Sequence, residues 1–161
     1  MQADDKKILF QESVKYGALR ELKAAMLFMD QEYTVSVPNM SARYDFIAER
    51  YPAVIRVKVK NLVLKKGDTG DSLSHKTWCI RPYTTTYGKR HPYNIEDCDI
   101  IVGISLDTGD FALVPISEVI GKATEYNLSM HKDSKGKEYL NSYKAIDDFY
   151  DLVTKSSPVV E

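Results

Sequence analysis

The sequence predicts an α/β (α+β) domain in which a mixed sheet is flanked by helices. Three observations carry this expectation. Lys7 to Asp30 places apolar residues at helical spacing, Tyr44 to Lys60 reads as two short strands joined by a turn, and Asp99 to Ser105 is a nearly continuous apolar run rich in β-branched residues. At 161 residues with 43% hydrophobic composition, the chain can bury a real core, so one domain spanning 1–161 is expected.

In the opening helix, Val14, Leu19, Leu22, Met26 and Met29 form one apolar stripe, while Glu12, Lys15, Arg20, Glu21 and Lys23 mostly occupy other faces. Tyr33 to Pro38 is a β-rich run that Pro38 closes, and Asn39 to Arg43 is a loop leading into Asp45. Next come a strand over 44–48, a turn through Arg50-Tyr51-Pro52, and a strand over Val54 to Lys60. Leu62 begins as a strand continuation and runs into a polar turn region with two glycines. Thr77 to Ile80 is a strand. The run 99–105 suits a central strand buried on both faces, and Phe111 to Pro115 returns as its hairpin partner. Ser117 is a candidate N-cap for a helical turn. Tyr139 to Val153 is amphipathic and predicts a final helix, within a C-terminal region over 132–161 whose end should fray.

Composition removes several function classes. The net charge of -1 argues against a uniformly basic nucleic-acid binder, while leaving room for a local basic groove. Cys79 and Cys98 lack CxxC spacing and companions for a zinc site. His75, His91 and His131 are scattered, and no GxSxG, GxGxxG or P-loop spacing occurs. No apolar run approaches the roughly 18 residues of a spanning helix, and the first residues lack signal-peptide character. A soluble cytoplasmic protein with no membrane partner is the expectation.

The chemistry concentrates in 43–61. From Val54 to Lys60 the strand alternates, with Arg56, Lys58 and Lys60 on one face and Ile55, Val57 and Val59 on the other. An antiparallel return lets Asp45 face the charged side, so one acid and two lysines, Lys58 and Lys60, converge on a spot suited to phosphate chemistry. This Asp, hairpin and Lys-x-Lys arrangement resembles the PD-(D/E)xK nuclease superfamily, and within it the bacterial group I intron-encoded homing endonucleases. Asp45 matches the superfamily Asp, Val59 the apolar spacer and Lys60 the Lys. Lys58 stands where the pattern has Glu or Gln. The wider resemblance also takes in Tyr33 to Pro38, Tyr93 to Ile100 and Phe111 to Pro115, roughly the first two-thirds of the chain.

That resemblance implies a restriction-endonuclease-like core and metal-dependent hydrolysis of DNA phosphodiester bonds. Asp45, the Val59 carbonyl and Glu21 would hold Mg²⁺, with Lys60 near the attacked phosphate or the attacking water. Glu21 follows Gly17 at the family's spacing on the first helix; otherwise it is a solvated carboxylate, and Glu12 is the reserve candidate. An ammonium cannot coordinate Mg²⁺. Lys58 is therefore either a substitution that disables cleavage, or a phosphate contact with the second ligand supplied from elsewhere. DNA contacts are expected from Arg43 and from the hairpin region 62–93. There, Lys65, Lys66, Arg81, Tyr83, Thr84, Thr85, Thr86, Tyr87, Lys89, Arg90 and His91 interleave cations, hydroxyls and aromatics. The resemblance further implies double-strand cleavage at a long intron-insertion site in a transfer RNA gene, by a homotetramer. A non-catalytic DNA-binding protein on the same fold and a Holliday-junction resolvase are the alternatives.

Overall fold

A computed structural model describes residues 3–65, 76–129 and 135–156, apart from the side chains of 8 and 10. Helix α1 (Ala3–Asp30) is followed by strands β1 (Thr34–Ser36), β2 (Phe46–Arg50) and β3 (Ala53–Asn61). Strands β4 (Val63–Lys65), β5 (Thr77–Ile80), β6 (Tyr83–Thr86) and β7 (Lys89–Pro92) come next. The central strand β8 (Ile100–Ile104), then β9 (Phe111–Pro115), β10 (Tyr126–Ser129) and helix α2 (Lys144–Ser156) complete the chain.

The main sheet has five strands in the order β1-β2-β3-β8-β9. It is mixed: β3 and β8 run parallel, with Val57 opposite Ile100 and Lys60 opposite Gly103, while the other pairs are antiparallel. Every residue of β8 is buried, as its continuous apolar run predicts. In β3 the even and odd positions separate as the alternation predicts: Ala53, Ile55, Val57 and Val59 are buried, and Arg56, Lys58 and Lys60 only partly so. Parallel neighbours need a crossover, and this one carries β4 to β7 between its ends. Strands β10, β5 and β4 form a second, antiparallel sheet, and β6 and β7 a two-stranded hairpin. Tyr87 and Gly88 close that hairpin with φ of 50° and 74°, the pair of left-handed residues that a tight two-residue hairpin requires.

Gly103 sets how closely the second sheet lies on the first. A Cβ built there would fall 2.8 Å from Ile80 Cδ1 and 3.3 Å from Leu62 Cβ. Without that side chain, Ile80 of β5 rests directly on β8, which brings the residues after β5 beside the C-terminal half of β3. Arg56 fixes the other end of the crossover. Its backbone N–H and guanidinium both donate to Asp99 (2.8 to 3.1 Å), and the guanidinium also reaches the carbonyls of Ile95 and Glu96, each at 2.6 Å. Arg56 is thus committed to holding the start of β8. Asp97 lies in the turn before β8 and Asp99 directly ahead of its first residue.

Helix α1 corrects one expectation. A stripe made of Leu19, Leu22, Met26 and Met29 does exist, but all four are exposed, and Ala24, Ala25 and Phe28 are buried instead. Phe28 meets Phe46 and Tyr33 edge-on, with ring centroids 5.6 and 5.8 Å apart. The two alanines permit close approach to the sheet, which longer side chains would prevent. Two terminal details also differ from expectation. Residues Ile116–Glu118 form a 3-10 turn with no side-chain cap, so Ser117 caps nothing. The final helix starts at Lys144, because Tyr139 ends a 3-10 turn and Leu140 bridges to Ala112 of β9.

A candidate active site and an adjoining basic trough

The β2–β3 ladder ends at the pair Phe46 and Val57, and Asp45 continues it only through its own N–H, which donates to the Val57 carbonyl at 2.8 Å. The Val59 N–H is left without a strand partner on that side, and a buried unpaired N–H is costly. Asp45 supplies the acceptor: its Oδ2 takes the Val59 N–H at 2.7 Å. Its other oxygen, Oδ1, accepts from Lys58 Nζ at 3.0 Å. A strand residue's N–H and C=O point the same way, so the Val59 carbonyl is turned toward Asp45 as well.

Lys60, two residues on, points its ammonium at the Tyr83 carbonyl, 2.9 Å away. Tyr93 lies beneath both lysines. The Nζ atoms of Lys60 and Lys58 lie 5.3 and 5.9 Å from its ring centroid, and the Arg43 guanidinium lies 4.8 Å away. Arg43 also pairs with Asp97 at 3.4 Å and donates to the His91 carbonyl. Arg43, on the loop expected to contact DNA, thus packs against the centre while 44% of its side chain stays exposed.

The two lysines respond differently to this setting. Burial works to lower the Lys58 ammonium, but the Asp45 carboxylate, with Tyr93 and Glu21 adding to it, turns the net shift upward. Lys60 has no such partner: burial, with Lys58 beside it, brings its pKa down to about 8. Burial raises the Tyr93 phenol, whose hydroxyl is buried with no hydrogen-bond partner among the described residues. Glu21 of α1 is raised by burial and by the Asp45 carboxylate, and lowered by Lys58, which places it electrostatically at the same centre. Glu12 lies nine residues earlier on α1, about 13 Å along the helix axis.

A divalent cation would require the free lone pairs of Asp45 and Glu21 together with the Val59 carbonyl. As arranged, the residues do not fit one. Lys58 covers Asp45 Oδ1, Val59 N–H takes Oδ2, and no group of three or more His, Cys, Asp or Glu able to hold a metal occurs among the described residues. The obstacle is the ammonium at 58 more than the number of acids, since Mg²⁺ sites commonly use only one or two carboxylates.

Beside the centre, the β6–β7 hairpin and the loop before it bring cations together. Lys60, Arg81, Tyr83, Thr84, Thr85 and Arg90 line one cavity of about 670 Å³. Arg90 donates to the Ala123 carbonyl at 2.9 Å and lies 4.6 Å over the Tyr83 ring. Lys65, at the end of β4, pairs with Glu125 at 2.5 Å. Thr86, Tyr87, Lys89 and His91 are exposed on the hairpin, and Lys66 lies outside the described residues. Three participants carry no local motif: Tyr93 and Asp97 at the centre, and Glu125 in the trough. Only the folded chain brings them to these positions.

Comparison with known proteins gives a family and a fold. The sequence profile of the PD-(D/E)XK endonuclease family matches residues 12–151. Among solved structures, the bacterial homing endonuclease I-Ssp6803I is similar, with a TM-score of 0.69 and 19% sequence identity over 88% of this chain and 96% of that one. At that identity the likeness is one of fold. No curated protein matches.

Proposed function

The chain belongs to the PD-(D/E)XK endonuclease family, and from that premise we propose that it is a site-specific, homing-type DNA endonuclease whose cleavage Lys58 suppresses. Duplex DNA binds along the face that carries Lys60, Arg81 and Arg90. One observation carries the reading: the Lys58 ammonium lies 3.0 Å from the carboxylate that the family chemistry depends on. Lys60, a desolvated ammonium at the mouth of the basic trough, faces the attacked phosphate and stabilises charge that develops there. The Tyr93 ring lies under both lysines and holds them in place. With Asp45 freed from Lys58, the residues that would hold a divalent ion are Asp45, Glu21 and the Val59 carbonyl, and the ion would supply a Lewis acid there.

Cleavage of both strands calls for two centres, and so for self-association. Support comes from α1, where Leu19, Leu22, Met26 and Met29 are exposed at spacings of three, four and three. That is the a/d repeat of a helix pairing with a second copy. Four side chains fall short of the ~800 Å² per partner that a stable interface buries. Two such 28-residue helices lying side by side, each about 42 Å long, can supply the rest. Pairing the pairs gives the homotetramer.

The test is a paired Mg²⁺ cleavage assay of this chain and Lys58→Gln on a mixed pool of duplexes that includes intronless transfer RNA genes. Discrete double-strand cutting by the variant, with little by this chain, is the expected result. Duplex binding by both with cutting by neither favours the second reading, a non-catalytic DNA-binding protein on the same fold.

A further inference from the structure

The cavity that lines up Lys60, Arg81 and Arg90 has a neighbour. Arg81, Tyr83, Arg90, Thr124, Glu125 and Asn127 line a second cavity of about 550 Å³, and the two share Arg81, Tyr83 and Arg90. Together they form one trough leading away from the candidate centre. Among the described residues its lining carries the cations Lys60, Arg81 and Arg90 and one carboxylate, Glu125, which Lys65 approaches from outside the lining. Glu125 Oε2 lies 2.5 Å from Lys65 Nζ, and its Oε1 lies 3.8 Å from Arg81 Nε. These partners come from different segments, the end of β4 and the loop after β5, so the acid sits where the folded chain gathers positive charge.

We propose that Glu125 occupies a DNA phosphate subsite in the free protein, and that a backbone phosphate displaces it from Lys65 and Arg81 on binding, with Arg90 lining the same cavity. This rests on the DNA-binding reading above. Arg90 is held for the purpose by the Ala123 carbonyl and the Tyr83 ring. The Arg81 side chain is 64% exposed, so its remaining donors face an incoming ligand. The hydrogen bond from Lys65, with Arg81 and Arg90 beyond it, holds the Glu125 carboxyl below its usual range, as expected of an anion in an anion's place. A resident carboxylate weakens indiscriminate binding, because each duplex must displace it before its own phosphate is bound.

The test uses fluorescence anisotropy with a labelled mixed-sequence duplex, between about 50 and 200 mM KCl. Glu125→Gln should bind about five- to tenfold more tightly at the low end, and its log–log salt slope should steepen by about one. Glu125→Asp, which keeps the charge, should follow the unaltered chain. Thermal melting separates these effects from misfolding. Equal affinity and slope for Glu125→Gln and the unaltered chain would overturn the inference while leaving the DNA reading intact. Weaker binding by Glu125→Gln with relaxed sequence preference would also overturn it, marking Glu125 as a base contact. No salt-dependent duplex binding by the unaltered chain would sink both.

Discussion

Replacing Lys58 with Gln should turn a centre that rejects divalent metal into one that accepts it, and the structure sets the scale. A divalent ion held by Asp45 would share that carboxylate with the Lys58 ammonium, 3.0 Å from Oδ1, so charges about 4 Å apart set the scale of their repulsion. At an effective dielectric of about 20, the repulsion between charges of +2 and +1 at that distance is about 8 kcal/mol. Asp45 and Lys58 are 15% and 19% exposed, so water screens part of this; half the value, about 4 kcal/mol, is still about a thousandfold in affinity. Calorimetric titration of Mg²⁺ or Mn²⁺ into the metal-free proteins reads the difference directly. Lys58→Gln should bind at least about a hundredfold more tightly than the unaltered chain. The stability change should be small in comparison. The Gln amide still donates to Asp45, so the loss should be about 1–2 kcal/mol, or a few degrees in Tm. A lysine whose folded pKa is raised stabilises the fold below its unfolded pKa and loses that contribution as pH rises through the folded value. The loss should therefore be constant from neutral pH up to about 10. Equal metal affinity in the two proteins, or ordinary affinity in the unaltered chain, would refute the argument that Lys58 is the obstacle.

Further outcomes follow from other parts of the fold. Lys60, with its pKa near 8, regains an ordinary lysine value against a phosphate, so duplex affinity should fall about tenfold between pH 7 and 9; Lys60→Arg should flatten that profile in a binding titration. Gly103→Ala forces a Cβ to within 2.8 Å of Ile80 and should cost about 1–3 kcal/mol in denaturant melts, while disturbing the trough that β5 positions. A Leu22→Glu, Met26→Glu double substitution on the exposed face of α1 should leave the far-UV circular dichroism unchanged but lower the sedimenting mass below that of the unaltered chain.

The legible parts of this sequence are those where a short-range period coincides with a packing constraint. The alternation of β3 and the unbroken apolar run of β8 each have one plausible sheet environment, and both strands form as expected. The hairpin that places Asp45 opposite Lys58 follows from that alternation, since a one-residue slip would turn every side chain to the wrong face. Helix α1 is different. Its sequence carries two apolar stripes, and the larger one, Leu19 to Met29, faces outward because Ala24 and Ala25 permit the closer approach to the sheet. Tyr93, Asp97 and Glu125 were not legible because their partners are brought together only by the β3–β8 crossover. Nothing near Glu125 in the sequence marks it as the partner of Lys65 and Arg81. Arg56 shows the converse case: the alternation groups it with the two lysines, yet its guanidinium is spent on Asp99 and two carbonyls.

The most direct measurement for the account as a whole is the affinity of the unaltered chain for duplex DNA as a function of salt, alongside an Arg81→Ala, Arg90→Ala double substitution. The account predicts salt-dependent binding without cleavage, with the double variant weaker at every salt concentration and its log–log slope shallower by about two. Binding that ignores salt, or a double variant that binds as well as the unaltered chain, would contradict it.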